Sequence, residues 1–498
     1  LLSTETRRLS ARHQTLQGAI DWSYERLSPQ EQALFTMSSV FAGGWTLDAA
    51  RAMSVAGGDG DVLELTSRLV DKSLIAKLDW RGRARFFMLG PLRQYGQAML
   101  ARSGQVSKVR DLHAAYFLEV AEEAETRLRG ADQEDSLNLL EDEVDNLRSA
   151  LGWATKEGQH EVALRLAGAL TMFWYLHGRY SEGREWLDRA LLDETVQPDV
   201  WRAKGLVASG TLAALECDYD VAEARTQAGL DLYAELGDRA GVASALQRLG
   251  SLAREQGRYE ESTRLHDESL HVWRELGDEA GIATSLNFLG FVAWLEADLD
   301  KATGHCSQAL EVFQRLGDGE GLCWSLISLG AIAQYRGSLG QAENLLNGAL
   351  TTARDLGFTE GVAWSLNQLG LVARRRGDFE TSWNLARESL DQNRTLGDRW
   401  RAASVLEELA ATAIGLDEPR RAARLLAAAG SVRRAIATPI PICERVDHDE
   451  TVAAVGGRLP RTTLAADLRT GRRTALDRID SLIDGPDREP STGSHTQV

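Results

Sequence analysis

The sequence predicts a mostly α-helical protein, in which an α-solenoid superhelix of repeated helix pairs follows a small N-terminal domain. The first observation is a 40-residue period from Leu236 to Ala435, whose five units all open on Leu-Gly. The second is that columns of Leu, Gly and Ala recur within the units at spacings of three and four, which places them on one stripe of a helix. The third is that the first ~105 residues lack this period. A fixed period of this length indicates an array whose neighbouring units share one core.

The joins between units predict how one helix ends and the next begins. The Gly of each Leu-Gly suits the left-handed backbone just past a helix end, and the Asp that usually follows can cap the next helix. A second Gly usually precedes the second helix of the unit, with Ala297 and Asp417 as exceptions. The column that contains Gly290 is expected to let two helices approach closely. Each unit is therefore predicted to be a helix-turn-helix pair.

This pattern resembles the tetratricopeptide repeat in a 40-residue form with a Leu-Gly-Asp join. The Leu-Gly, Gly and Ala columns match the large and small packing positions of that family, and they do so in five successive units. The resemblance implies a superhelix that binds peptides or small ligands on its concave face and that is not an enzyme.

The chain divides into six predicted regions. They are a winged-helix domain at 1–105, bridging helices at 106–158, degenerate tetratricopeptide-like repeats at 159–235, the five regular repeats at 236–435, C-terminal capping helices at 436–484 and a disordered tail at 485–498. The tail assignment rests on its content of Pro, Ser and Gly.

The N-terminal region reads as helices, then a hairpin that turns at 79–82, then a further helix. Its motifs resemble the winged-helix segment of signal-transducing STAND-class ATPases, which include the large LuxR-type bacterial transcriptional regulators. The motifs are Arg12-His13-Gln14-Thr15-Leu16, Ala19-Ile20-Asp21-Trp22-Ser23-Tyr24, Leu27-Ser28-Pro29, Val40-Phe41-Ala42-Gly43-Gly44 and Leu69-Val70-Asp71-Lys72-Ser73-Leu74. The resemblance extends over residues 1 to about 480. It implies a P-loop ATPase module before this segment and a tetratricopeptide-type sensor after it.

Two departures from that family concern nucleotide. No Gly-Lys dipeptide occurs in the chain, so the phosphate-binding GxxxxGK[ST] loop is absent. Relatives often place Met-His-Asp after the hairpin, whereas this chain has Met88-Leu89-Gly90. We therefore expect no ATPase activity and no cofactor in this chain, with ATP bound only by the missing upstream module. Because the sequence starts Leu-Leu, we expect it to begin inside a longer protein.

Composition excludes some classes of partner. The 498 residues carry a formal net charge of −17, which disfavours non-specific binding to nucleic acid or membranes. The four cysteines have no paired spacing and are expected to be reduced thiols of a cytoplasmic protein. No transmembrane or signal segment is predicted, and neither metal-binding nor catalytic motifs occur.

The candidate binding residues lie on the first helix of each repeat, at positions offset from the Leu and Gly columns. They combine aromatic rings with amides and charged groups, which suits a pocket with apolar walls and a few directing polar groups. The predicted concave groove consists of Gln247, Arg254, Asn287, Phe291, Trp294, Trp324, Gln334, Trp364, Asn367, Arg374 and Glu407. In the alternative interpretation, Trp324 and Trp364 only fill the spaces between repeats.

A second candidate surface is the hairpin turn, where Trp80, Arg81, Arg83 and Arg85 could contact DNA as a wing. The favoured alternative is a solvated turn or a surface that docks the missing ATPase. The sequence thus predicts a sensor fragment of a STAND-type transcriptional regulator that binds a protein, a peptide or a small-molecule inducer, contacts the ATPase module in cis and affects DNA only indirectly. The rival hypotheses are a stand-alone interaction scaffold and direct DNA binding by the winged helix.

Overall fold

The structure is a computed structural model that describes residues 17–54, 62–192 and 199–484. The predicted tail at 485–498 and the first motif of the N-terminal resemblance, at 12–16, lie outside these residues. The described chain is almost entirely helical, which confirms the predicted mostly α fold. It forms two compact units, one made of 1–124 and 138–169, and the other of 125–137 and 170–498. Two of the three boundaries fall inside the predicted bridging region at 106–158, so that region is shared between the two units, and the third falls in the region predicted as degenerate repeats.

The first unit has the order of elements that the sequence predicts. Residues 17–25 are helical. They are followed by α1 (Pro29–Ser38), α2 (Leu47–Met53), α3 (Val62–Asp71), β1 (Ala76–Trp80), β2 (Arg83–Phe87) and α4 (Gly90–Arg102). The strands form an antiparallel hairpin whose register runs from Ala76 opposite Phe87 to Trp80 opposite Arg83. The core holds the stacked rings of Phe41 and Trp45. The winged-helix assignment stays a prediction that this order fits.

Long helices continue the chain beyond the hairpin. They are α5 (Val106–Arg127), α6 (Gln133–Asp142), α7 (Val144–Lys156) and α8 (His160–Ala169). Asn146 ties α7 to the loop after α1, because its side chain accepts from the Ala42 amide at 2.7 Å and donates to the Gly44 carbonyl at 2.8 Å. The N-terminal domain and α7 are therefore parts of one unit.

The second unit is a stack of helix pairs. Before the regular repeats come α9 (Thr171–Leu176), α10 (Tyr180–Leu191), α11 (Val200–Leu215) and α12 (Tyr219–Leu236). The first helices of the five repeats are α13 (Arg239–Glu255), α15 (Glu279–Leu295), α17 (Gly319–Tyr335), α19 (Thr359–Arg375) and α21 (Arg399–Gly415). The second helices are α14 (Tyr259–Leu276), α16 (Leu299–Leu316), α18 (Leu339–Asp355), α20 (Phe379–Leu396) and α22 (Pro419–Ala435). This arrangement confirms the predicted α-solenoid.

The Leu-Gly-Asp joins adopt the predicted geometry. Gly237 and its four equivalents all have φ between 65° and 78°, the left-handed region that ends a helix. Asp278 then caps α15 by accepting from the Gly281 amide at 2.7 Å, and the Asp residues of three other joins do the same. Phe358 stands at the remaining join and makes no side-chain cap. At the second turn of a repeat, Ala297 and Asp417 adopt φ of 66° and 62° where other repeats have Gly.

The Gly column allows the two helices of one repeat to touch. A Cβ added at Gly290 would overlap Sγ of Cys306 and lie 3.2 Å from the Ala302 carbonyl oxygen. Gly250 and Gly330 face His266 and Leu346 just as closely, whereas Gly370 has more room. The column is therefore a packing requirement of most repeats.

The chain after the last repeat folds back onto it. Two short 3₁₀ turns (Ile442–Glu444 and Leu476–Arg478) accompany α23 (Arg445–Arg458), α24 (Arg461–Arg473) and α25 (Asp480–Ile483). Val455, Ile479 and Leu482 join the buried Ala- and Leu-rich face of α22. Asp467 accepts from Arg420 at 2.9 Å across the same contact. These elements cover the apolar surface that the last repeat would otherwise expose.

Candidate ligand-binding site on the concave face

The first helices of all five repeats line one cavity in the second unit. Its empty volume is about 980 Å³, a figure that includes the solvent space at its open mouth. Five of the predicted groove residues line it: Arg254, Asn287, Phe291, Trp324 and Trp364. Residues 40 positions apart in sequence thus converge, as the repeat period predicts.

Two predicted residues of this face instead lie between helices. Gln247 is buried and donates to the Ser285 hydroxyl at 2.8 Å and the Gly281 carbonyl at 3.2 Å, so it joins α13 to α15. Trp294 is 1% exposed and packs edge-on against Tyr335. Including them in the groove was wrong, because these side chains point into the contact with the next repeat.

The far end of the concave face is covered by the C-terminal segment, which corrects the prediction for Arg374. Its guanidinium donates to Glu408 at 2.7 Å and to Asp447 of α23 at 2.6 Å. The neighbouring Gln334 is fully buried, and neither atom of its amide has a hydrogen-bond partner among the described residues. Neither residue lines the main cavity.

A second, smaller cavity contains the last two predicted residues, Asn367 and Glu407. Glu407 accepts from Arg433 at 2.6 Å, and His448 of α23 lies 3.4 Å from it. The period predicts where a residue lies on its own helix, but it contains no information about a later segment that packs over the repeats. The groove is therefore shorter than predicted.

Aromatic rings form a continuous wall along the main cavity. Trp364 contacts three other rings edge-on or tilted: Phe291 at 5.3 Å, Trp324 at 5.6 Å and Trp400 at 6.0 Å between centroids. Trp324 is only partly buried, and its Nε1 donates to the hydroxyl of Tyr175 on α9 at 3.1 Å. Trp324 is therefore both a cavity wall and a packing residue, so the two interpretations of its role are not exclusive.

Carboxylates outnumber guanidinium groups in the cavity by four to two. Glu255 pairs with Arg254 at 3.1 Å, and Asp398 caps α21 through the Arg401 amide at 2.8 Å. Glu320 accepts from the Tyr175 hydroxyl at 3.4 Å. Glu360 is 9% exposed, and its Oε2 has no hydrogen-bond partner in the described part of the chain. When Glu360 is ionised, the charge of Arg254 and the Tyr175 hydroxyl stabilise it only in part, since its pKa stays raised.

Burial and mutual repulsion raise the pKa values of these acids. Burial and the charges of Asp398 and Glu255 raise the pKa of Glu360 to about 8. Burial and Asp318 raise the pKa of Glu320 to about 7, against the attraction of Arg248. Acids with raised pKa values in a cleft are typical of functional sites, because a packed core would avoid them.

Arginine side chains already stack on aromatic rings beside the cavity. The Arg254 guanidinium lies 4.6 Å from the Phe291 ring centroid. Arg401 is fully buried, lies 3.2 Å from the Trp364 ring centroid and has Glu444 at 3.6 Å. This part of the protein therefore favours cations on aromatic faces.

Sequence reasoning missed most of the charged lining, although a signal was present. Glu320 and Trp324 lie four residues apart on α17, and Glu360 and Trp364 repeat that pair at the same register of α19. The other three repeats have no such pair. Residues four apart share a helix face, so the pairs mark a shared surface. Tyr175 could not be found in this way, because α9 lies outside the periodic region.

The side chains of the predicted wing form hydrogen bonds and ion pairs within the first unit. Trp80 donates from Nε1 to Asp142 at 2.8 Å, and Arg85 donates to Glu143 at 2.5 Å. Arg81 lies 3.9 Å from Asp142, whereas Arg83 is exposed. The hairpin thus docks on the end of α6, which favours an intramolecular role.

The cavity has no metal-binding character. In 17–54, 62–192 and 199–484 no group of three or more His, Cys, Asp or Glu side chains is arranged to hold a metal ion.

No helix within the same ranges combines the length and apolarity needed to span a membrane. The four cysteines are free and buried.

Part of the repeat array matches a known family of repeats. Family models described as tetratricopeptide repeat match residues 242–276 and 281–355. The repeats within these residues therefore match the tetratricopeptide repeat, and the later repeats of the array share their helix-pair arrangement.

Longer stretches of the chain resemble two further proteins. The chain is 33% identical over 261 residues to the "Putative HTH-type transcriptional regulator Rv0890c" of Mycobacterium tuberculosis, a match that spans 50% of this chain and 29% of that protein. The structure resembles a Signal Transduction ATPase with Numerous Domains (STAND) protein with a tetratricopeptide repeat sensor from Pyrococcus horikoshii. That match has a TM-score of 0.50 and 14% identity, and it covers 93% of this chain and 64% of the other. The predicted resemblance to such a sensor is confirmed at the level of the fold.

A further structural neighbour has been solved with a bound molecule. It is a Rap protein in complex with Competence and Sporulation Factor, at a TM-score of 0.51 and 14% identity, covering 66% of this chain and 99% of the other. The shared feature is the fold.

Proposed function

We propose that this chain is the sensor region of a STAND-type transcriptional regulator, and that its main cavity binds an inducer or a partner protein. Binding shifts the regulator between two states, and the N-terminal unit relays this shift to an ATPase module outside the chain. A ligand can drive such a switch only if it binds one state more tightly than the other. We further propose that the protein acts in the cytoplasm.

The observation that carries the proposal is the convergence of unsatisfied polar groups in an aromatic-walled cavity. Glu360 Oε2 and the Trp364 indole nitrogen are both buried without hydrogen-bond partners among the described residues. Leaving buried polar groups unpaired costs about 1–3 kcal/mol each. Core packing alone gives no reason to retain them, whereas a ligand that supplies their partners does.

The relatives support the same assignment. One structural neighbour is a STAND protein with a tetratricopeptide repeat sensor, and another holds Competence and Sporulation Factor. The mycobacterial relative is named for a role in transcription. We carry these roles to the present chain as part of the proposal.

The alternative functions have less support. Direct DNA binding by the hairpin needs Trp80 and Arg85 to be free, yet both bind carboxylates of their own unit. A scaffold without switching needs no acids of raised pKa in its groove. We also propose that the chain is not an enzyme, since it lacks the Gly-Lys of a phosphate-binding loop.

Native mass spectrometry tests the proposal. The wild-type chain and the Trp324→Ala variant are incubated with extract of the cells that encode the chain, re-isolated and weighed intact. We expect a discrete added mass on the wild type that is lost from the folded variant. An adduct retained in full by Trp324→Ala, or no adduct on either protein, would contradict binding in this cavity.

A further inference from the structure

Two neighbouring repeats present the same pair of side chains to the cavity. Glu320 and Trp324 on α17 are matched by Glu360 and Trp364 on α19, and all four line the cavity. The equivalent positions of the other repeats hold Ala240 and Ser244, Ala280 and Thr284, and Trp400 and Ser404. A pair needed for packing would recur in every repeat. Both pairs line the cavity, whereas the first helices of the other three repeats line it with other side chains.

The geometry points to a ligand that carries a positively charged amino or guanidino group, which we propose binds between Glu320 and Glu360 beside the Trp324 ring. This inference rests on the proposed function, since it names the chemistry of the ligand in the same cavity. Carboxylates supply charge-assisted hydrogen bonds to such a cation. An indole face attracts a cation through the ring quadrupole.

The acids have capacity left for such a partner. Glu360 is nine-tenths buried, and its Oε2 accepts no hydrogen bond in the described part of the chain. The Glu320 side chain accepts from the Tyr175 hydroxyl at 3.4 Å, and the Trp324 indole is a second donor beside it. Of the two cavity arginines, Arg254 pairs with Glu255 at 3.1 Å, and the attraction of Arg248 does not prevent burial and Asp318 from raising the pKa of Glu320. A bound cation would supply a further counter-charge.

A guanidinium held between an indole ring and a carboxylate already occurs beside the cavity. Arg401 lies against the aromatic wall, 3.2 Å from the Trp364 ring centroid, with the Glu444 carboxylate at 3.6 Å. It shows that a guanidinium between an indole and a carboxylate fits this part of the solenoid. The half-buried Trp324 offers an equivalent ring that faces the cavity.

Calorimetric titration with matched probes tests the proposal. N-acetyl-argininamide carries one guanidinium, and N-acetyl-citrullinamide has nearly the same shape without the charge. We expect the first to bind the full chain with a Kd of about millimolar, as suits a fragment, and the second to bind at least ~10-fold more weakly. Agmatine serves as a second cationic probe. Tighter binding of agmatine would assign the site to a free small amine, and tighter binding of N-acetyl-argininamide to a basic peptide side chain.

Variants locate the binding. Glu360→Gln and Glu320→Gln keep the side-chain shape and are each expected to weaken N-acetyl-argininamide binding by at least ~10-fold. Glu279→Gln is the matched control, because Glu279 is exposed, pairs with Arg315 and lies outside the cavity. Circular dichroism confirms that each variant is folded. Equal losses in Glu279→Gln and Glu360→Gln would overturn the proposal.

The pH dependence provides an independent readout. The acids must lose their protons to hold a cation, and burial with nearby acids raises the pKa of Glu360 to about 8. The other titratable or charged groups that act on Glu320 or Glu360 are Arg129, Tyr175, Arg248, Arg254, Glu255, Asp318 and Asp398. Affinity should therefore rise between pH 6 and pH 9. An affinity that falls over this range would contradict the inference.

Failure of this inference is separable from failure of the proposed function. Equal affinity for N-acetyl-citrullinamide would overturn the cation assignment and leave binding in the cavity intact. If the chain takes up an adduct from cell extract but binds none of the cationic probes, the cation assignment is likewise overturned and binding in the cavity is retained. The absence of both would overturn the two proposals together.

Discussion

Gly290 is the position where one added methyl group most directly tests the packing of the array. The Cβ of Gly290→Ala would overlap Sγ of Cys306 and lie 3.2 Å from the Ala302 carbonyl oxygen, so α15 and α16 must separate. Overpacking of this kind costs about 1–3 kcal/mol. Gly304→Ala is the matched control, since a Cβ there meets nothing within 4 Å, and the better helix propensity of Ala stabilises it by about 0.5–1 kcal/mol.

The two variants are compared by thermal melting. For a cooperative unit as large as the second unit, 1 kcal/mol shifts the melting temperature by about 1–2 °C. We therefore expect Gly290→Ala to melt about 1–6 °C below Gly304→Ala, and Gly290→Leu lower still. Adding Cys306→Ala removes the closest clash, so the double variant should recover part of the loss through a coupling of about 1 kcal/mol. Equal melting of the two alanine variants would refute the assigned register.

Three further predictions concern the turns, the acids and nucleotide. Ala297→Gly should raise the unfolding free energy in urea by about 0.5–1 kcal/mol, because Ala297 adopts φ of 66° where Gly is unstrained; no gain would contradict strain at that turn. Because the pKa of Glu360 is about 8 in the folded state and about 4.3 unfolded, its stabilising contribution is present at low pH and is lost as the pH rises through 8. The melting temperature of Glu360→Gln, relative to that of the wild type, should therefore increase from pH 5.5 to pH 8.5. A difference that does not change with pH would argue against the raised pKa of Glu360. The purified chain should release no phosphate from ATP above a mock purification, and turnover that a nucleotide-site inhibitor abolishes would show otherwise.

The repeat period made much of the array predictable. Leu, Gly and Ala columns are set by contacts that each helix makes with its neighbours, so they recur and can be aligned within one sequence. The left-handed Gly237 and the Asp278 cap follow from local backbone chemistry, and both adopt the predicted conformation.

The cavity was predictable only in part. Trp324 and Trp364 could be located from their register, because position on a helix follows from the period. Tyr175 and Asp447 could not, since they belong to α9 and α23, which pack on the array through tertiary contacts outside the repeat. The repeat period also places Glu320 and Glu360 on the same face of their helices as Trp324 and Trp364. Acids on a helix are usually solvated, however, and only burial distinguishes these two.

The most direct test of the binding site combines melting and binding on Trp324→Ala. Trp324 lines the cavity and is partly buried, so its removal should abolish the native adduct while the melting temperature falls by only a few degrees. Truncation of a fully packed core Trp would instead cost about 3–5 kcal/mol. We therefore predict that Trp324→Ala is folded and lacks the adduct. A large drop in melting temperature, with unchanged binding by the protein that remains folded, would contradict it.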